Sequence, residues 1–277
     1  IKFLEINDLN KIVLGDEVSV FLYLNEENYH KAEILGIGLS DKEHNYYLDK
    51  KYLKDLEGIL KGKVVYTYNA KAMDIIFRKN HVQVDPVNYD LMIAAYLYKE
   101  FNKEDIAFLM NPEHINVEFF LDAKKSGFSD IERIKKDTVL KARFIYDTRD
   151  EYINNLKTED MYNLFKDIEM PLSYVLADME YFGVKVDSSV LDEIKAEAEA
   201  KLAILSEEIY NMAGVEFNIS SPKQLGEVLF ERLGLSSGKK NQTGYKTDAA
   251  TLQKLRGKHP IINLILEYRN FSKIIST

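Results

Sequence analysis

Phe217-Asn218-Ile219-Ser220-Ser221-Pro222-Lys223-Gln224-Leu225, continuing through Val228-Leu229-Phe230 to Leu233-Gly234-Leu235, reads as a helix with both ends marked. Ser221 is a good N-cap, Pro222 suits the first helical position because its missing N–H has no intrahelical partner there, and Gln224 stands where it can close a capping box. Gly234 suits the left-handed conformation that stops a helix. By itself this is an ordinary capped surface helix. Beyond it lie a basic, glycine-containing loop over 236–247 and an apolar-periodic segment carrying Arg269 and Lys273. Four residues apart on a helix, those two cations share a face and repel unless something anionic lies between them.

Charge is divided unevenly along the chain. Residues 217–277 hold 10 Lys and Arg against 4 Asp and Glu, a balance of +6, and residues 1–216 hold 27 against 41, a balance of −14, within a net charge of −8. A polyanion is drawn to the C-terminal part and repelled by the rest. A length of 277 residues is enough for two domains, and 46% hydrophobic content supports sizeable cores. No run approaches the roughly 18 apolar residues of a membrane span, and the N-terminus Ile1-Lys2-Phe3-Leu4-Glu5 has no signal-peptide layout. The absence of cysteine excludes disulfides and thiolate metal sites and is compatible with an intracellular location. Starting without Met and ending inside an apolar-periodic segment, the chain reads as a piece of something larger.

Earlier in the chain, residues 17–24, 34–39 and 46–48 read as a three-stranded meander, and 64–68 as a buried strand. Asn69 is placed to cap a helix to about Asn80, and Asp90 to cap an apolar helix from Leu91 to Tyr98. From there strands are expected to alternate with helices around a central sheet, an α/β domain. Asn111-Pro112 breaks a helix, 124–127 looks like a loop tip, and 130–153 is helical. Two amphipathic segments follow, marked by Met161, Leu164, Ile168, Leu172, Val175, Met179 and Phe182, then by Leu191, Ile194, Ala198, Leu202, Leu205, Ile209 and Met212. Pro171 should break or kink the first. An antiparallel pair of these segments is the expectation, forming an arm with the basic loop at its tip, and the domain boundary is placed at 168/169.

FNISSPKQLGEVLFERLGL, the loop after it and LEYRNFSKIIST closely resemble the thumb of family A DNA polymerases of the bacterial DNA polymerase I type. The resemblance implies contacts along a primer–template duplex from Asn218, Ser220, Ser221, Lys239, Thr243, Lys246, Thr247, Arg269 and Lys273, through phosphates and without reading bases. It also implies that the preceding residues form the ribonuclease H-like 3′–5′ exonuclease domain of that family, a mixed sheet with flanking helices, followed by an all-α arm. The expected domains are therefore 1–168, exonuclease-like, and 169–277, the start of the polymerase domain, with the palm and fingers as further partners.

In active members of that family, carboxylates in an Asp-x-Glu strand, a helix start and a Tyr-x-x-x-Asp helix hold two divalent ions. The matching positions here are Leu24 and Glu26, then Met73, then Asp137 and Lys141. One carboxylate facing a leucine, a methionine and a lysine cannot assemble a two-ion site, so no catalytic residue, metal or cofactor is expected in this stretch, with magnesium expected in the palm. Lys141 is expected to pair with Glu26. Glu27, Asp74 and Asp90 are the acids that would have to rescue the site. Glu26-Glu27-Asn28-Tyr29-His30 resembles the corresponding segment of family members with a degenerate domain. Two other readings stand beside this one: a working metal-dependent 3′–5′ exonuclease, and a helical protein-interaction module whose basic tip is incidental. The five histidines show no ligand spacing, and Gly36-Ile37-Gly38 lacks the third glycine of a dinucleotide fingerprint. A bacterial, cytoplasmic, nucleoid-associated setting is what the resemblance implies.

Overall fold

β-Branched and aromatic residues in short runs, each closed by a polar turn, give the strands of a six-stranded mixed sheet ordered β1-β4-β3-β2-β5-β6. The computed structural model describes residues 1–235 and 245–276. The strands are β1 (Leu4–Ile6), β2 (Glu17–Leu24), β3 (Ile34–Ser40), β4 (Asn45–Leu48), β5 (Val64–Thr67) and β6 (Tyr89–Asp90). β2, β3 and β4 form the expected antiparallel meander, and β1, β5 and β6 join it in parallel pairings. The register of β2 against β3 shifts between Tyr23 and Leu24, an irregularity of the kind that re-aims side chains at a strand end.

Helices supply the rest of the first compact unit, 1–183. They are α1 (Leu56–Ile59), α2 (Ala70–Lys79), α3 (Leu91–Lys99), α4 (Ala107–Met110), α5 (Phe120–Lys125), α6 (Ile131–Thr158), α7 (Tyr162–Leu164) and α8 (Met170–Phe182). After β5 the only strand among the described residues is the two-residue β6, so the expected alternation gives way to helices. α6 packs across β2 and β3. Gly38 makes that approach possible, since a Cβ there would lie 2.5 Å from the Thr138 carbonyl oxygen. Asn69 caps α2 through Ala72 N–H at 3.0 Å from a left-handed backbone (φ 68°) that asparagine tolerates. Asp90 caps α3 through Met92 N–H at 2.9 Å.

Pro171 neither breaks the chain nor leaves a free helix end. The turn ahead of it, Phe165–Glu169, widens to a π-helix, and Met170 N–H bonds the Phe165 carbonyl, five residues back. α7, this turn and α8 therefore run on continuously. α8 packs on α2, where the Glu180 carboxylate accepts from Lys71 Nζ and Tyr29 Oη, both at 2.6 Å, and meets His30 Nε2 at 2.9 Å.

The second unit, 184–277, is helical. It contains α9 (Ser188–Ala213), α10 (Pro222–Gly226), which runs into a π-helical turn Glu227–Arg232, α11 (Ala249–Lys254) and α12 (Ile261–Ser276). Each long segment finds its main partner inside its own unit, α8 with α2 and α9 with α12, where the sequence reading pairs the two segments with each other. The buried stripe of α9 is also narrower than its apolar periodicity, with Ala198, Leu205 and Ile209 inside and Leu191, Ile194 and Met212 exposed. A small core of Ile209, Ile219, Leu225, Leu229, Leu252 and Ile262 closes this unit. Among the described residues no helix is long and apolar enough to cross a membrane.

Candidate functional site

The C-terminal end of β2, the start of α2 and the middle of α6 meet at a cleft of about 130 Å3. Leu24, Glu26, Met73 and Lys141, distant in sequence, all line it. Asp137, the fifth position of interest, lies outside the cleft lining, one turn before Lys141 on α6. It is 1% exposed and accepts from Glu118 N–H at 2.8 Å and from Arg133 Nε at 3.0 Å.

Lys141 is the unusual member. Its side chain is 4% exposed, and its ammonium stands 4.6 Å from the Tyr23 ring centre and 5.4 Å from that of Phe21. Burial pushes its pKa down, and the nearby Asp105, Asp137 and Glu118 offset only part of that. Its ion-pair partner is Asp105, at 4.0 Å, and not Glu26 as expected. Glu26 lies beyond the irregular end of β2 and pairs with Lys124 of α5 at 2.7 Å. Asp105 is held in place by accepting from Ala107 N–H at 3.0 Å and Phe120 N–H at 2.8 Å.

The acids that would have to rescue a metal site are occupied or peripheral. Asp90 is fully buried and accepts from Asn69 N–H at 2.9 Å and Ala70 N–H at 2.6 Å as well as capping α3; burial raises its pKa against these bonds. Asp74 pairs with Arg78 Nε at 2.7 Å. Glu27 is exposed at the cleft edge. Divalent ions require several hard oxygen donors converging on one point. Here a leucine, a methionine and an ammonium share that space with Glu26, and among the described residues no group of three or more His, Asp or Glu side chains is placed to hold a metal. The residues present do not fit a two-ion site.

In the second unit, Ser221 Oγ accepts from Gln224 N–H at 3.4 Å, but the returning bond of Gln224 lands on Asn218 N–H, at 2.7 Å, so the box is widened by three residues. Asn218, Ser220 and Lys246 are exposed, Ser221 is half-buried, and Lys273 is exposed on α12. Thr247 is 4% exposed, so its hydroxyl is not presented at the surface. Arg269 is half-buried and donates to the Thr247 carbonyl, so the shared face of Arg269 and Lys273 is partly explained by an internal acceptor. Lys239 and Thr243 lie outside the described residues.

Two residues of the cleft, Asp105 and Tyr23, and Lys124, which pairs with the lining residue Glu26, carry no clear signal in the sequence: Asp105 sits in the irregular stretch 101–128, Lys124 in an apparent loop tip, and Tyr23 is one more aromatic in a strand, where alternation does not separate cleft from core.

Residues 20–119 match the family model described as DNA polymerase I, ribonuclease H-like domain, and residues 188–277 match DNA polymerase family A. Among curated relatives, the DNA polymerase I of Lactococcus lactis subsp. cremoris is 37% identical over 265 residues, which cover 93% of this chain and 30% of the relative. The DNA polymerase I of Bacillus subtilis is 33% identical over 264 residues, 91% of this chain and 30% of the relative. That of Geobacillus stearothermophilus is 32% identical over 278 residues, 96% of this chain and 32% of the relative. The chain thus spans about a third of the length of these relatives. A solved structure described as the POL domain of Pol1 from M. smegmatis in complex with DNA primer-template and dNTP has a TM-score of 0.73, with 24% identity, covering 95% of this chain and 46% of that one.

Proposed function

Because the chain belongs to family A of the DNA polymerases, in its DNA polymerase I branch, we propose that it is the proofreading-domain and thumb portion of a DNA-directed DNA polymerase whose proofreading domain has lost its chemistry. The reading rests on one observation: Leu24, Met73 and the buried ammonium of Lys141 meet at the place where the family resemblance puts metal-binding carboxylates. An exonuclease of this kind needs two ions to activate water and stabilise the leaving oxygen. A fixed cation in their place repels them and supplies neither function. The unit's contribution is then architectural, and nucleotide addition belongs to the palm and fingers, with magnesium.

The helical unit is the duplex-gripping element in this proposal. The positive balance of its residues 217–277, exposed Lys246 and Lys273, and the family match over 188–277 support contact with the phosphate backbone. A rival reading, a nuclease with relocated carboxylates, draws on Glu27, Glu104 and Asp105 at the same cleft. Incubation of 3′-labelled single-stranded DNA with the chain in magnesium or manganese separates the two: no shortening above background is expected, and shortening abolished by Glu26→Gln would overturn the proposal. Duplex binding is tested by titration at several salt concentrations. Each phosphate contact adds about 0.9 to the log–log slope, so replacing Lys246 and Lys273 by Ala should lower it by about 2, whereas salt-insensitive or absent binding favours a protein-interaction module.

A further inference from the structure

Phe120, on α5, forms part of the cleft wall, yet α5 packs extensively against no other helix or strand among the described residues. Its bonds turn inward. Ala123 N–H donates to the Phe119 carbonyl at 3.1 Å, Phe128 N–H donates to the Ala123 carbonyl at 2.9 Å, and the Phe120 and Phe128 rings meet at 5.9 Å. Residues 119–128 are thus one small folded piece. The chain on either side of it is fixed: Glu118 N–H donates to Asp137 at 2.8 Å, and Asp130 caps α6 through Arg133 N–H at 2.9 Å. Just before α6, Gly127 and Phe128 are both left-handed, with φ of 65° and 54°. That conformation is unfavourable for a bulky side chain, so Phe128 marks a strained bend.

Two hydrogen bonds tie this piece to the rest of the described residues. Phe120 N–H donates to Asp105 at 2.8 Å, and Lys124 Nζ donates to Glu26 at 2.7 Å; both acceptors line the cleft. Ala123 is buried and the Phe119 ring lies 4.7 Å from that of Phe108, so apolar contact seats the piece without adding a directional bond. The Lys124 and Glu26 side chains are 41% and 45% exposed. Ion pairs so open to water are weak and are screened by salt. One of the two ties is therefore loosened by ions in solution.

We propose that residues 119–128 are a hinged cover on the cleft, latched by the Glu26–Lys124 ion pair, so that ionic strength sets how often the cleft stands open. This goes beyond the reading of the chain as a polymerase portion and does not depend on it. Amide hydrogen exchange of the 277-residue chain, followed by NMR, tests it. Phe120 N–H loses its Asp105 acceptor when the cover lifts, whereas Glu118 N–H keeps Asp137 and is the internal reference. Where reclosing outpaces exchange, the rate measures the open population. The latch is altered at Lys124 because Glu27 also attracts that ammonium and would stand in for Glu26. Lys124→Met should speed exchange at Phe120 about two- to fivefold, the worth of an exposed ion pair, and leave Glu118 unchanged. Raising salt from about 0.05 to 0.5 M should speed Phe120 in the wild type and not in Lys124→Met. Lys124→Glu should speed it further, and adding Glu26→Lys should slow it again. Because the chain has no cysteine, Met73→Cys supplies a second readout from inside the cleft, and its rate of reaction with a thiol reagent should follow the same order. Exchange at Phe120 indifferent to Lys124→Met and to salt, exchange that rises equally at Glu118, or a charge swap that restores nothing would each overturn the proposal.

Discussion

Lys141→Met should make the protein more stable. The ammonium is buried on α6 with one ion-pair partner at 4.0 Å and two rings within 5.4 Å. Desolvating such a charge costs several kcal/mol even after relaxation. Against this stand about 4 kcal/mol of Coulomb attraction to Asp105 at an effective dielectric near 20, and about 1–2 kcal/mol from the rings. That the pKa is pushed below 10.5 by burial means the cost outweighs the gains. Methionine keeps the stem packed against Phe21 and Tyr23, and Asp105 keeps its two backbone donors, so no buried charge is orphaned. A gain of about 1 kcal/mol at pH 7 follows, smaller than when both partners of a buried ion pair become hydrophobic, because Asp105, 16% exposed, stays charged.

The pH dependence carries the sharper test. A lysine whose folded pKa lies below its unfolded value is penalised in full while both states hold the proton. As pH rises through the folded pKa toward 10.5, the folded state releases its proton first, the unfolded state binds more protons, and wild-type stability climbs. The advantage of Lys141→Met should therefore shrink as pH rises toward 10.5. Urea unfolding followed by far-ultraviolet circular dichroism measures it, with the denaturant slope unchanged between the two proteins. A variant destabilised by more than about 1 kcal/mol, the scale of an ordinary lost contact, or an advantage that does not vary with pH, refutes the argument.

Asp90→Ala leaves the amides of Asn69, Ala70 and Met92 without their acceptor at a fully buried position; a loss of about 3 kcal/mol is expected in the same unfolding assay. Gly38→Ala places a methyl 2.5 Å from a backbone oxygen of α6, and either β3 or α6 has to shift, at about 1–3 kcal/mol by the same measurement. At Glu180, burial raises the pKa but bonds from Lys71, Tyr29 and His30 outweigh it and hold the carboxyl down at about 2. Its contribution is complete above pH 4.5 and lost as pH falls through 2. Glu180→Gln should thus cost about 1 kcal/mol at pH 7, given a side chain that is nearly a third exposed, and the difference should shrink as pH falls from 4.5 toward 2, the two acid titrations converging only below that.

How much of this was legible depended on whether the signal was local. The meander, β5, α2 and α3 were readable because alternation and the caps Asn69 and Asp90 each lie within a few residues of what they specify. β1 and β6, at 3 and 2 residues, are too short to show a period. The stretch 101–128 resisted reading because it is held by side chain–backbone bonds, such as Asn111 with both the N–H and the carbonyl of Val117 at 3.0 and 3.1 Å, which leave no periodicity. The convergence of Leu24, Met73 and Lys141 was readable only through the family resemblance. The partner of Lys141 was not, because Asp105 reaches it from that aperiodic stretch. Pairing of α9 with α12 was equally hidden, since apolar stripes of similar period are interchangeable until packing chooses between them.

An ammonium built into the polypeptide differs from a bound ion in how it is delivered. It arrives at unimolecular cost during folding and cannot be stripped by a chelator or outcompeted by another cation. Its charge is one, where two divalent ions would bring four, so fewer opposing acids are needed to balance it. The architecture around Lys141 is accordingly indifferent to the supply of free metal.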